Sequence, residues 1–258
     1  MIGTCRATVV PSPRLGSHVP KTRCSMRRGT MLLLGGVLPT AIGPAAADLR
    51  SQTDSAAGSR SAPAVIEVPR RAAATIDGAF SPGEWDGAFK TSLQNGGELR
   101  LMSDGEYLFV GIRSRRLGYG SLCLSRPGEV RVLHSSAALG TAVYRSEGGQ
   151  WKKSRWFSWC CRATEETPER QEHLRTEGWI ASIGYMGPPE EMEYQIALEG
   201  GEVTLAVVYQ TGPSRETAYW WPVSLDDDCL GLTLSNAVAP EILRFSPETW
   251  MRVRVSAM

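Results

Sequence analysis

Apolar and polar positions alternate most clearly between residues 98 and 113. Glu98-Leu99-Arg100-Leu101-Met102-Ser103 and Glu106-Tyr107-Leu108-Phe109-Val110-Gly111-Ile112-Arg113 flank Asp104-Gly105. That dipeptide tolerates the positive φ a two-residue hairpin turn requires, so the segment predicts a β-hairpin. Leu99 and Leu101 alternate with Arg100, which places one face of the first strand in a core, while the near-continuous apolar run of the second predicts burial on both faces. Shorter runs of β-branched or aromatic alternation, bounded by Gly, Pro or Asp, predict strands at residues 65–68, 121–124, 129–134, 141–145, 154–158, 179–185, 192–198, 203–209, 230–234 and 250–255. A helix is expected from Thr167-Pro168 to Glu177, stopped by Gly178. The pattern predicts an all-β chain, an antiparallel, jelly-roll-like β-sandwich with one or two short helices.

Upstream of the hairpin, Thr75-Ile76-Asp77-Gly78-Ala79-Phe80-Ser81-Pro82-Gly83-Glu84-Trp85-Asp86-Gly87-Ala88 joins a strand, a turn and one capped helical turn. Ser81 suits the N-cap, Pro82 the first helical position, and Glu84 completes a capping box. Trp85 is then aimed at the core, and Asp77 suits an Asx turn before Gly78. This Ile-Asp-Gly … Glu-Trp … Ala element resembles the opening of the family 9 carbohydrate-binding-module superfamily and its DOMON-like relatives. Tyr107-Leu108-Phe109-Val110 is similar to their following hairpin. Glu193-Tyr194-Gln195-Ile196-Ala197-Leu198 resembles their late strand, with Ala197-Leu198 in place of the usual Ile-Pro. The resemblance implies a β-sandwich that recognises a sugar or glycan without chemistry. Its DOMON-like branch implies an alternative, haem held between His134 and Met102, Met186 or Met192.

The first 62 residues differ in kind. Arg27-Arg28, the apolar run from Met31 to Leu38, and Ala45-Ala46-Ala47 before Asp48 form a basic region, a hydrophobic core too short to span a bilayer, and a cleavage signal. Residues 1–47 are therefore expected to be a leader with an export signal. Residues 48–62, rich in Ser, Ala, Gly, Asp and Arg, are expected to be a disordered linker, and residues 63–258 one β-sandwich domain in the periplasm or outside the cell, without a membrane span. With 28 Lys+Arg against 27 Asp+Glu, no basic field points to nucleic acid.

Export leaves Cys123, Cys160, Cys161 and Cys229, which allow three pairings. Adjacent cysteines have Cα atoms about 3.8 Å apart, below the usual disulfide range, so non-vicinal bridges are expected. Eight Trp residues carry the functional signal. Indoles stack on the C–H faces of sugars, and planar polar groups satisfy the hydroxyls. Trp156, Trp159, Trp220, Trp221 and Arg155 are the candidate ligand residues. Regular alternation puts Ser154, Trp156 and Ser158 on one strand face and Arg155, Phe157 and Trp159 on the other, and it splits Trp220 from Trp221 so that one indole is exposed. Trp85, Trp179 and Trp250 are expected in the core. Asp226-Asp227-Asp228 is either a solvated turn or part of a calcium site, and Glu190-Glu191 is expected at the surface. No nucleophile elbow, paired helix-borne His or phosphate loop points to catalysis.

Overall fold

A computed structural model describes residues 65–184, 190–231 and 239–255. The expected leader and linker, and Met186, lie outside the described residues. The strands run β1 (Val65–Val68), β2 (Phe89–Ser92), β3 (Glu98–Ser103), β4 (Tyr107–Ser114), β5 (Tyr119–Arg126), β6 (Glu129–Ser135) and β7 (Ala138–Glu147). They continue with β8 (Gln150–Arg162), β9 (Trp179–Ile183), β10 (Glu190–Ala197), β11 (Glu202–Gln210), β12 (Ala218–Trp221), β13 (Ile242–Leu243) and β14 (Met251–Val255). Helix α1 (Pro168–Glu177) precedes β9, and a single helical turn, α2 (Asp228–Gly231), precedes β13. Among the described residues no helix is long and apolar enough to cross a membrane.

The expected all-β sandwich forms. One sheet has the order β1-β14-β11-β5-β6-β7-β8-β13, with β12 also against β11, and the other is β2-β3-β4-β10-β9. Every ladder is antiparallel except β1 with β14. The hairpin at residues 98–113 forms, but not through the expected two-residue turn: Ser103 pairs with Leu108 and Leu101 with Val110, so four residues, Asp104 to Tyr107, make the connection, with Gly105 at φ 105° and Asp104 Oδ1 accepting from Glu106 N (2.9 Å) and Tyr107 N (2.8 Å). Helix α1 starts and stops where the sequence places it. The Thr167 side chain accepts from Arg170 N, and Gly178 closes the helix at φ 73°.

Each sheet is covered on both sides, which periodicity alone does not reveal. Leu122, Leu124, Leu133 and Leu205 of the larger sheet share one buried cluster with Leu99, Leu101, Trp179 and Tyr194 of the smaller. On the opposite face of the larger sheet, Cys123, Val130, Val132, Tyr144 and Val208 form a second cluster with Leu225, Leu230, Phe245 and Trp250. A layer formed by residues 222–231 and 239–250 therefore covers that face. Two devices pin it. Cys123 is bonded to Cys229, and Asp227 accepts from Cys229 N (2.9 Å), Ser246 N (2.8 Å) and Trp250 Nε1 (2.7 Å).

The outer side of the smaller sheet lies under a strap formed by residues 70–88. Gly83 and Gly87, at φ 85° and 70°, turn the chain so that residues 81–88 form successive tight turns in place of the expected helical turn. Half of the capping box survives, with Glu84 accepting from Ser81 N at 3.1 Å and also from Thr75 N at 2.6 Å. Asp77 makes the expected Asx turn to Ala79 N (2.9 Å). Trp85 is 1% exposed and packs against Phe80, ring centroids 5.0 Å apart and planes tilted by 35°, over Gly111. Its indole Nε1 donates to Glu193 Oε1 (2.9 Å), and Oε2 accepts from Gly78 N (2.9 Å) and Asp77 N (3.2 Å).

Candidate functional site

The site is built on β8, whose pairing with β7 slips three times. Tyr144 opposes Lys153, Val143 opposes Arg155, Thr141 opposes Ser158, Gly140 opposes Trp159 and Ala138 opposes Arg162. One extra residue therefore enters β8 at Ser154, one at Trp156-Phe157 opposite Ala142, and one at Cys160-Cys161 opposite Leu139. At a bulge two residues oppose one, so strict alternation fails locally. Trp156, Phe157 and Trp159 are carried to the face that also bears Ala142 and Gly140. The expected division of Trp156 from Trp159 between two faces is thereby corrected, and the bulges are the cause.

On that face the rings of Phe157 and Trp159 stack at 5.2 Å with an interplanar angle of 25°. His134 meets Trp159 edge-on at 5.7 Å and Tyr119 at 5.5 Å. Gly140 makes this possible, because a Cβ there would stand 2.7 Å from the Trp159 ring. Trp156 and Trp159 are 56% and 38% exposed. Lys153 Nζ sits 2.9 Å from the Trp156 ring centroid and donates to Ala239 O (2.8 Å), so a cation braces one face of the indole. Beyond the short pairing with β13 at Trp151 and Lys152, no other described strand adjoins the outer edge of β8.

Arg155 goes elsewhere. The bulge at Ser154 turns it to the opposite face, where it grips Glu177 at the end of α1 through Nη1–Oε1 (2.9 Å) and Nη2–Oε2 (2.7 Å). Arg131 adds a contact to Glu177 Oε2 at 3.0 Å. Burial pushes the Glu177 carboxyl up, but the two guanidiniums outweigh it and hold the group below the ordinary carboxylate range. These residues, with Arg145 and Glu129, line a separate cleft of about 430 Å³.

Trp220 and Trp221 are not ligand platforms. They are 6% and 5% exposed, because the sheet that carries them is covered on both faces: Trp221 enters the inter-sheet core and Trp220 the cluster under the third layer. The aspartate run does not form a calcium site. Asp226 pairs with Arg215 (3.0 Å), Asp228 with Arg244 (3.3 Å), and Asp227 is saturated by the three donors that pin the third layer. Among the described residues no group of three His, Cys, Asp or Glu side chains is placed to hold a metal ion.

The haem alternative does not fit the described residues either. His134 belongs to the aromatic face, with Nδ1 3.1 Å from Ser121 Oγ, and burial lowers its pKa to about 4, so it is neutral. Met102 and Met192 are wholly buried, but Met102 shares the outer, strap-covered face of β3 with Arg100, and Met192 Sδ lies in the inter-sheet core against Gly120, on the side of β5 opposite Ser121. No axial pair can form between them and His134.

The expectation of only non-vicinal bridges is half corrected. Cys123–Cys229 is non-vicinal, whereas Cys160 is bonded to Cys161 with Cα atoms 3.8 Å apart. The third bulge explains this, since both cysteines face the inter-sheet core in place of alternating about the strand. Sequence reasoning also missed Tyr119, His134, Phe157 and Lys153 as parts of the site, because only the strand order and the bulges bring them together. No protein-family model matches the chain, and no curated protein matches it in sequence.

Proposed function

We propose that the chain is an exported, non-catalytic glycan-binding β-sandwich whose platform is the bulged segment of β8. The observation that carries this reading is the gathering of Trp156, Phe157 and Trp159 on one face of an edge strand, with both indoles partly open to solvent. Three successive bulges would be a poor way to build a core, since indoles left in water forgo burial. They suit a surface made for stacking, where apolar C–H faces of a sugar lie on indole and neighbouring polar groups take the hydroxyls. The likeness of residues 75–113 to family 9 carbohydrate-binding modules supports the reading, and two disulfide bonds suit an oxidising compartment.

Trp156→Ala and Trp159→Ala are each expected to weaken glycan binding about tenfold or more, the loss of roughly 1.5–3 kcal/mol of aromatic contact. Thermal midpoints should change little for Trp156, which is mostly exposed. Affinity unaltered in both variants, measured by calorimetric titration, would remove the platform from the site.

A further inference from the structure

Cys160 and Cys161 occupy the third bulge of β8, half-buried, with Cys160 Sγ 3.6 Å from Glu169 O in the first turn of α1. A bond between chain neighbours closes almost no loop, so it restricts the unfolded chain hardly at all. Cys123–Cys229 differs on both counts, joining residues 106 apart in sequence through two wholly buried side chains. The vicinal bond therefore acts locally. What it ties down is the point where β8 leaves its ladder, and beyond that point lie buried Ala163 and then α1.

We propose that Cys160–Cys161 is a redox site, opened in the folded protein by a dithiol reductant, and that its opening releases the last bulge of β8 and loosens the first turns of α1. A reductant thiolate attacks one of the two sulfurs, forming a mixed disulfide and freeing the other as a thiolate. The second reductant thiol then attacks the mixed disulfide and leaves as the reductant's own disulfide. Two electrons and two protons end on Cys160 and Cys161 as thiols. Neighbours on a regular strand point to opposite faces, so without the bond a one-residue slip turns Cys161 outward, opposite Ala138, and displaces Arg162 and Ala163 toward the helix. Trp159 keeps its place opposite Gly140, upstream of the slip, and the site stands whether or not the platform binds a glycan.

The test treats the native protein with dithiothreitol, alkylates it with iodoacetamide and maps the peptides, with hydrogen exchange followed in parallel. Alkylation confined to Cys160 and Cys161, with Cys123–Cys229 intact, is expected, together with exchange at least tenfold faster over residues 160–172. A double variant, Cys160→Ser with Cys161→Ser, should exchange fast without reductant and show no further response. The proposal is overturned if both cysteines are already free in the untreated protein, if the two bridges open only together on unfolding, or if reduction leaves exchange over residues 160–172 unchanged.

Discussion

Glu193→Ala is expected to lower the stability of the domain by about 3–5 kcal/mol, the scale of leaving several buried donors without their acceptor. The carboxylate is 0% exposed and is the common acceptor for Gly78 N, Asp77 N and Trp85 Nε1. Truncation strands these donors beneath the strap, at about 1–3 kcal/mol for each that finds no substitute. At roughly 2–4 °C per kcal/mol for a domain of this size, the thermal midpoint should fall by about 10 °C. Glu193→Gln keeps one acceptor but turns an N–H₂ toward a donor, so an intermediate loss is expected. Burial pushes this carboxyl from 4.5 up to about 8, against the pull of the Trp85 and Gly78 donors. Between those values the folded protein holds a proton that the unfolded chain has released. The stabilisation tied to protonated Glu193 is thus complete below about pH 4.5, declines as pH rises, and is gone above about pH 8. Urea denaturation at pH 5, 7 and 9 should show this decline in the parent and a flatter profile in Glu193→Ala; parallel profiles would contradict it.

Replacing Cys123 and Cys229 together with alanine is expected to cost about 4–5 kcal/mol on the chain-entropy view, since the bridge closes a loop of roughly 100 residues. The structural consequence is specific. Cys229 lies in α2, beside the Asp227 carboxylate that holds Ser246 and Trp250, so losing the bond frees the third layer to lift from Val130, Val132, Tyr144 and Val208. Denaturant unfolding should shift strongly to lower concentration, with binding of an apolar dye before global unfolding. A loss under about 1 kcal/mol with no dye binding would show that packing alone holds the layer.

Much of the frame was legible in the residues, because local chemistry dictates it. Asp104-Gly105 between alternating runs specifies a hairpin, and Thr167-Pro168 with Gly178 specifies a helix; both elements form, the hairpin through a four-residue connection two residues out of the expected register. Trp85, Trp179 and Trp250 are buried as expected. What was hidden depends on partners distant in sequence. Nothing in Tyr219-Trp220-Trp221 announces that residues 222–231 and 239–250 will cover Trp220 on one face of the sheet while the smaller sheet covers Trp221 on the other, so both indoles vanish from the surface. Likewise Glu191 accepts from Phe80 N while pairing with Arg113 because the strap folds back over β10, and Glu190, on the opposite face of that strand with Met192 and Tyr194, is buried on the side of the larger sheet. Residues 228–231 form α2 where a strand was expected from residue 230, the remainder of that strand lying outside the described residues. The bulges of β8 are invisible to periodicity, which assumes one residue per partner, and they decide which aromatic side chains meet.

A glycan array probed with the purified chain and with Trp156→Ala and Trp159→Ala tests the central claim most directly. A defined set of bound oligosaccharides is expected, with a signal that falls sharply in both variants. Binding to no glycan, or a bound set indifferent to both substitutions, would contradict it.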